Sequence, residues 1–331
     1  VTASSNTPAP DGIVDIAVGY MAAKQLFAAS RIGLFAALAD RPLGPAELAE
    51  RTGVTPRVAR ILADAMASRG LLVRAEGCYG LSPAAATYLV GSGSRLDLAP
   101  FLAFLNEVSY PHWVGFDATV DSSEPGHLDL GGSRRDTFLA GVMTYNALHA
   151  AMLADGFDFG PYRELLDLGG LSGAFSIEAM RRNERLRTTF VFDPGSVDRV
   201  VREATEAGFG QRVTGIGAVT DTAEPPRGGF DLVMANHVVH RFSEEQNAGI
   251  LARARAASAP GARLVLLDFF LDDDERQRPL DALHAAEYLV IDGTVVYPES
   301  EVRGWLAGAG WTVDGRLALP GSPRALLATA G

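Results

Sequence analysis

Two histidines and two carboxylates carry the strongest chemical pattern in this chain. Asn236-His237-Val-Val-His240-Arg241 follows the buried-strand run Asp231–Ala235, and the next apolar run, Arg263–Leu267, ends on Asp268. Glu299, after Tyr297-Pro298, opens a helical pattern. In an open α/β sheet ligands sit beyond the carboxyl ends of the strands. His237, His240 and Asp268 are therefore expected on one edge, with Glu299 reaching over them. A histidine flanked by two carboxylates has a stabilised protonated form and is a better base. One histidine at a strand end is more often structural; the convergence singles this group out. His284 and Glu287, three residues apart and so on one helix face, either touch a substrate or pair with each other. No spacing suggests a metal site, and there is no Gly-x-Ser-x-Gly nucleophile elbow.

A second pattern points to a cofactor. Glu164-Leu-Leu-Asp167-Leu-Gly169-Gly170-Leu171-Ser172-Gly173 runs from a strand through a glycine turn into the helical segment Ala174–Arg182. Strand, close-approach loop and helix N-terminus together cradle nucleotide-like cofactors. The next strand, Thr189–Phe192, ends in Asp193, an acid placed to accept two hydrogen bonds from a ribose diol. The spacing is not the G-x-G-x-x-G of dinucleotide sites, and no Lys-Ser/Thr pair makes a phosphate loop. A glycine turn closing an ordinary strand-to-helix connection is the plainer alternative.

The elements that would position these residues are legible. The 331 residues suggest two domains. Strand patterns fall at 165–168, 189–192, 212–216, 231–235, 263–269, 311–319 and 324–329, alternating with helices until a terminal hairpin. This describes an α/β fold with a mostly parallel sheet and one antiparallel strand at the end. Towards the N-terminus, helices over 13–38, 45–51 and 55–69 and a two-stranded wing over 70–81 make a winged-helix pattern. That pattern often means DNA, but a net charge of -11 and the lack of an arginine cluster favour a structural or dimerising role. Residues 99–160 are helical and aromatic; most of these rings are core, and Phe104, Trp113 and Met143 are candidates for an apolar pocket. The expected division is a disordered lead-in over 1–10, a dimerisation module over 11–98, a helical linker over 99–160 and the cofactor domain over 161–331. A single cysteine, Cys78, excludes an internal disulfide framework and agrees with a reducing compartment. The N-terminal residues lack a signal-peptide pattern, and no apolar run suggests a membrane span, so a cytoplasmic location is expected.

Taken together, the glycine loop, the acid after the second strand, the His240-Arg241 pair and the run Pro260–Leu271 resemble the dimeric class I SAM-dependent O-methyltransferases of plants and bacterial secondary metabolism. The resemblance spans nearly the whole chain. It implies a Rossmann-like methyltransferase sheet preceded by a winged-helix dimerisation domain, a homodimer without nucleic-acid or membrane partners, and S-adenosyl-L-methionine (SAM) as cofactor, leaving as S-adenosyl-L-homocysteine (SAH). SAM would be held by Asp167, Gly169, Gly170, Ser172, Gly173, Asp193, Asp221 and Asn236. His240 would be the base that takes the proton from a hydroxyl of an aromatic or polyketide-like substrate, oriented by Asp268 and Glu299. The substrate pocket would take in Phe104, Trp113, Met143, His237, Arg241, His284 and Glu287. The chain departs from the family pattern in three places. Leu171 stands where a third glycine is usual, and Arg241 replaces an aspartate. Thr220-Asp221-Thr222 is the nearest counterpart of the adenine-binding segment. These departures motivate a second expectation, a methyltransferase fold turned to ring formation, hydroxylation or decarboxylation with SAM structural or absent.

Overall fold

A computed structural model describes residues 8–91 and 96–331. Most of the lead-in expected over 1–10, and residues 92–95 of the expected dimerisation module, lie outside the described residues. The chain divides into two compact units, Val1–Pro111 with Gly131–Thr144, and His112–Leu130 with Tyr145–Gly331. The long helix Arg134–Gly156 contributes to both units.

The first unit is a winged helix. Thr55 accepts the Val58 amide at 3.4 Å and Pro56 occupies the first turn, so the helix Pro56–Ser68 starts where a cap and a helix-compatible proline coincide. Strands β1 (Leu72–Ala75) and β2 (Cys78–Leu81) pair antiparallel across the Glu76-Gly77 turn, both residues at positive φ. Leu34, Phe35, Leu48, Met66 and the ring of Tyr79 form the core, and the Tyr79 hydroxyl donates to Asp64 at 2.6 Å. The helix Asp11–Arg31 leaves Ile13, Ile16 and Tyr20 exposed, Ile16 to 84%. By length and composition this helix is apolar enough to cross a membrane, which the sequence reading did not anticipate.

The second unit holds a seven-stranded sheet, β3 (Glu164–Leu168), β4 (Arg187–Phe192), β5 (Val213–Gly217), β6 (Phe230–Asn236), β7 (Ser258–Asp268), β8 (Trp311–Leu317) and β9 (Arg324–Ala330), in the order β5-β4-β3-β6-β7-β9-β8. Strands β3 to β7 are parallel to one another; β9 runs antiparallel between β7 and β8, one strand in from the edge. Successive residues of the central strands feed opposite layers. Leu166, Val233, Leu264 and Leu266 enter one core, and Leu165, Leu232, Met234, Val265 and Leu267 the other. Burial on both faces explains why these strands read as unbroken apolar runs. The reversal of strand order between β3 and β6 opens a crevice at their carboxyl ends, the place where such sheets bind ligands.

Candidate active site

The turn after β6 is built from backbone constraints. The His237 amide donates to Leu267 O at 2.8 Å, and His237 itself takes a left-handed backbone, φ 56°. Asn247, fully buried on the helix Glu244–Ala257, donates through Nδ2 to Val239 O at 2.9 Å and Phe242 O at 3.0 Å, and the Tyr297 hydroxyl donates to Phe242 O at 2.8 Å. Ser243 and Gln246 form a capping box at the start of that helix. The short 3₁₀ turn Val239–Arg241 is thereby held against the end of β7.

Asp268, wholly buried, receives this turn. His240 Nδ1 lies 3.0 Å from both carboxylate oxygens, and the Phe269 amide donates to Oδ1 at 3.0 Å. Burial by itself would raise the Asp268 carboxyl; His240 by charge and hydrogen bond, His237 by charge, and the Phe269 amide hold it below the usual range. On the other flank His237 Nδ1 stands 3.9 Å from Oδ1, and burial pushes the His237 imidazole down to about 4. The donor atoms of His237, His240 and Asp268 lie within 4.8 Å of one another, a grouping that metals also use and that the sequence spacing did not reveal. Tyr288 tilts against His240 with ring centroids 4.7 Å apart, and Phe269 stacks on His284 at 3.8 Å.

Glu299 departs from its expected place at the base. Its carboxylate meets Arg303 at 2.7 Å, Arg316 at 3.2 Å and Arg324 at 3.3 Å. Arg324, paired in register with Asp268 across β7 and β9, also binds Asp281 and Asp272, and these cations draw Glu299 into a separate buried ion cluster. His240 therefore has one carboxylate partner, not two. His284 and Glu287 do not pair with each other. His284 Nδ1 faces Leu280 O at 2.7 Å and its Nε2 lies 3.5 Å from the Tyr145 hydroxyl, while Glu287 accepts the Trp113 indole N–H. Phe104 and Met143 belong to the first unit, where Phe104 packs edge-on against Phe138 at 5.6 Å.

The glycine loop and the acid after β4 both lie against Thr220 and Arg241. Gly169 has φ 67°, and a Cβ there would lie 2.3 Å from the Thr220 methyl, so only glycine fits. A Cβ on Gly170 would stand 3.4 Å from the Phe192 ring and one on Gly173 2.9 Å from Val200. The Ser172 hydroxyl accepts the Ala174 amide at 3.2 Å at the start of the next helix. Asp193 accepts the Thr220 amide at 3.1 Å and keeps 37% of its side chain exposed. Asp221 binds Gln246 at 2.7 Å. Asn236, at the end of β6, is buried with neither side-chain oxygen nor nitrogen hydrogen-bonded. A buried amide left with both groups unpaired is costly. Beside a close-approach loop and the partly exposed Asp193 carboxylate, it fits a polar adenosine-bearing cofactor. Arg241 donates to Gly169 O at 2.5 Å and Asp193 Oδ2 at 3.3 Å, and Arg199 donates to Leu171 O at 2.6 Å.

Asp167 lies beneath the loop and receives the Ser176 hydroxyl at 2.5 Å. Burial pushes its carboxyl up to about 7 against the opposing Ser176 hydrogen bond. A folded pKa above the unfolded value of 3.8 means that the native state holds a proton the unfolded chain has released, so stability falls as pH rises from about 4 to about 7. Asp167→Asn should therefore gain in melting temperature relative to the parent between pH 5 and pH 8. A constant difference across that range would show that Asp167 ionises as an ordinary carboxylate.

Sequence reasoning missed His149 and Tyr288. His149 is fully buried on the helix Arg134–Gly156, its Nδ1 2.9 Å from His237 Nε2 and its Nε2 without a hydrogen-bond partner. Within a helical apolar pattern it has no signal separating it from an ordinary core residue.

The chain is similar to known proteins. Residues 14–91 match the O-methyltransferase dimerisation domain and residues 108–312 the O-methyltransferase domain. The chain is 31% identical over 310 residues to the 3-hydroxy-5-methyl-1-naphthoate 3-O-methyltransferase of Streptomyces sahachiroi, covering 91% of this chain and 89% of that one. It is 30% identical over 333 residues to the tetracenomycin polyketide synthesis 8-O-methyl transferase TcmO of Streptomyces glaucescens, covering 94% of each. The crystal structure of the S-adenosylmethionine-dependent methyltransferase SibL superposes with a TM-score of 0.83 at 25% identity, over 97% of this chain and 99% of that one.

Proposed function

The chain belongs to the SAM-dependent O-methyltransferase family, and we propose that it methylates a phenolic hydroxyl of an aromatic or polyketide-derived metabolite with His240 as general base. The observation that carries this reading is the 3.0 Å contact between His240 Nδ1 and the buried Asp268 carboxylate. Next to an ionised carboxylate the imidazole keeps its proton on Nδ1, which leaves Nε2 as a bare acceptor. SAM, when bound, supplies an electrophilic methyl group on a sulfonium. A phenol near pKa 10 is mostly neutral at pH 7, so a base that removes its proton during attack raises the fraction of productive encounters. Asp268 balances the charge that His240 gains. Tyr288 stands beside the base, with the stacked pair Phe269 and His284 packed edge-on behind it, an aromatic wall suited to a flat acceptor. The relatives support this class, since by name one acts on a hydroxynaphthoate and the other in tetracenomycin polyketide synthesis. The exposed apolar side of the helix Asp11–Arg31 supports assembly as a homodimer through the dimerisation domain.

The test is product analysis after incubation with SAM and 3-hydroxy-5-methyl-1-naphthoate, followed by a panel of hydroxylated polycyclic aromatics. The expected product is a methyl ether. Binding of SAH without methylation of any member would overturn the reading.

The Arg241 contact favours a second reading, in which methyl transfer has given way to other chemistry. Its guanidinium engages the loop carbonyl and the ribose acid together, and a cation in that place opposes a sulfonium. Arg241→Ala is expected to improve SAM affinity relative to SAH by about three-fold, since only SAM carries the extra charge. An unchanged ratio by calorimetry would remove the electrostatic ground for this reading.

A further inference from the structure

We infer that His149 is a positioning residue, holding the His237 ring with its Nδ1–H towards Asp268 so that Asp268 stays ionised and committed to His240. The inference rests on the proposed role of His240 as base. His237 and His149 face each other through Nε2 and Nδ1 at 2.9 Å, and both are buried among aromatic rings. Burial disfavours a charge on either imidazole, so each carries one ring proton and one bare nitrogen.

The carboxylate decides where those protons sit. His237 Nδ1 looks towards Asp268 Oδ1 at 3.9 Å. A proton on Nδ1 presents the positive end of an N–H dipole to the anion; a bare Nδ1 would present a lone pair. With Nδ1 protonated, His237 Nε2 is an acceptor, and His149 Nδ1 must be the donor. His149 Nε2 is then a bare acceptor, and this is the atom that lies buried without a partner. The opposite assignment would strand an N–H there, the costlier group to leave unpaired. One polarity therefore satisfies both contacts, and it runs from His149 through His237 to Asp268, with His240 donating to the same carboxylate from its other side. The left-handed backbone of His237, φ 56°, aims its ring between the two.

Removing the His149 donor leaves His237 Nε2 without its hydrogen bond, so the ring is free to turn its Nδ1–H away from Asp268, which weakens the hold of the carboxylate on His240. The test is ¹⁵N spectroscopy of histidine-labelled full-length protein, combined with steady-state transfer to 3-hydroxy-5-methyl-1-naphthoate. The parent should show protonated His149 Nδ1 and bare His237 Nε2. In His149→Leu the His237 proton should stay on Nδ1 but its ¹⁵N resonance should move as the ring loses its contact with Asp268, with kcat down about five-fold, the worth of one neutral hydrogen bond, and KM unchanged. His149→Asn, whose amide can donate from near the Nδ1 position, should restore the parent His237 resonance and most of kcat. Protonated His237 Nε2 in the parent, or His149→Asn no better than His149→Leu, would overturn the inference. Should His240→Ala prove as active as the parent, the base reading fails instead, while the tautomers still report on His149 separately.

Discussion

Replacing His240 with alanine is expected to lower kcat for methyl transfer by about 10²- to 10⁴-fold, the range that a lost general base removes, with SAH affinity unchanged. The separation follows from geometry. His240 contacts Asp268 and Tyr288, whereas the glycine loop is held by Thr220, Arg241 and Arg199. Alanine also leaves Asp268 as a wholly buried carboxylate without its imidazole partner, so some loss of stability will accompany the kinetic effect. His240→Asn separates the two consequences. Its amide can donate to Asp268 from near the Nδ1 position but supplies no base, so it should be as slow as His240→Ala and more stable. Full activity in His240→Asn would show that orientation, not proton removal, is the contribution of this residue.

The second large effect concerns stability. Arg324 is 4% exposed and holds Asp272, Asp281 and Glu299 at the end of β9, with Nη2 2.7 Å from Asp281 and 3.0 Å from Phe270 O. Arg324→Met keeps the length of the stem and removes the charge. Asp281, wholly buried, then retains only the Arg278 contact at 3.3 Å. Breaking a buried ion pair from one side costs about 3–5 kcal/mol, which urea unfolding would register directly. Arg324 also holds the Asp272 carboxyl down, to about 2. A depressed folded pKa supplies stability that is present above the unfolded pKa of 3.8 and is lost as pH falls through about 2. The gap between parent and variant should therefore narrow between pH 4 and pH 2. A difference under about 1 kcal/mol at pH 7 would place this cluster with the weak, solvent-screened surface pairs.

The sheet and the glycine turn were legible because their signals are local. Leu165–Leu168 and Leu232–Ala235 are apolar runs that only a strand buried on both faces tolerates, and the turn Gly169–Gly173 needs glycine for φ and for close approach. The caps at Thr55 and Ser243 were read from adjacent residues in the same way. His240 and Asp268 were legible because consecutive parallel strands deliver their ends to one edge. Glu299 was misplaced for a reason only partly local. Arg303, four residues on and 2.7 Å away, is a local partner that the reading passed over, and Arg324, 25 residues later on a strand inserted antiparallel beside β7, adds a pairing that nothing near Glu299 announces. His284 and Glu287 share a helix face, yet Tyr145 and Trp113, from distant segments, take their polar atoms. His149 escaped notice since an imidazole in an apolar helical pattern looks like core until its partner, 88 residues away, is seen.

The most direct measurement of the catalytic account is the dependence of the His240→Ala defect on acceptor acidity. Phenolic acceptors of matched shape, with pKa values from about 10 down to about 7, would be compared at pH 8 in parent and variant. An acidic phenol arrives already ionised and needs no base, so the defect should shrink from at least about 10²-fold towards none across the series. A defect of constant size across the series would contradict proton removal by His240 and leave it only a role in positioning the acceptor.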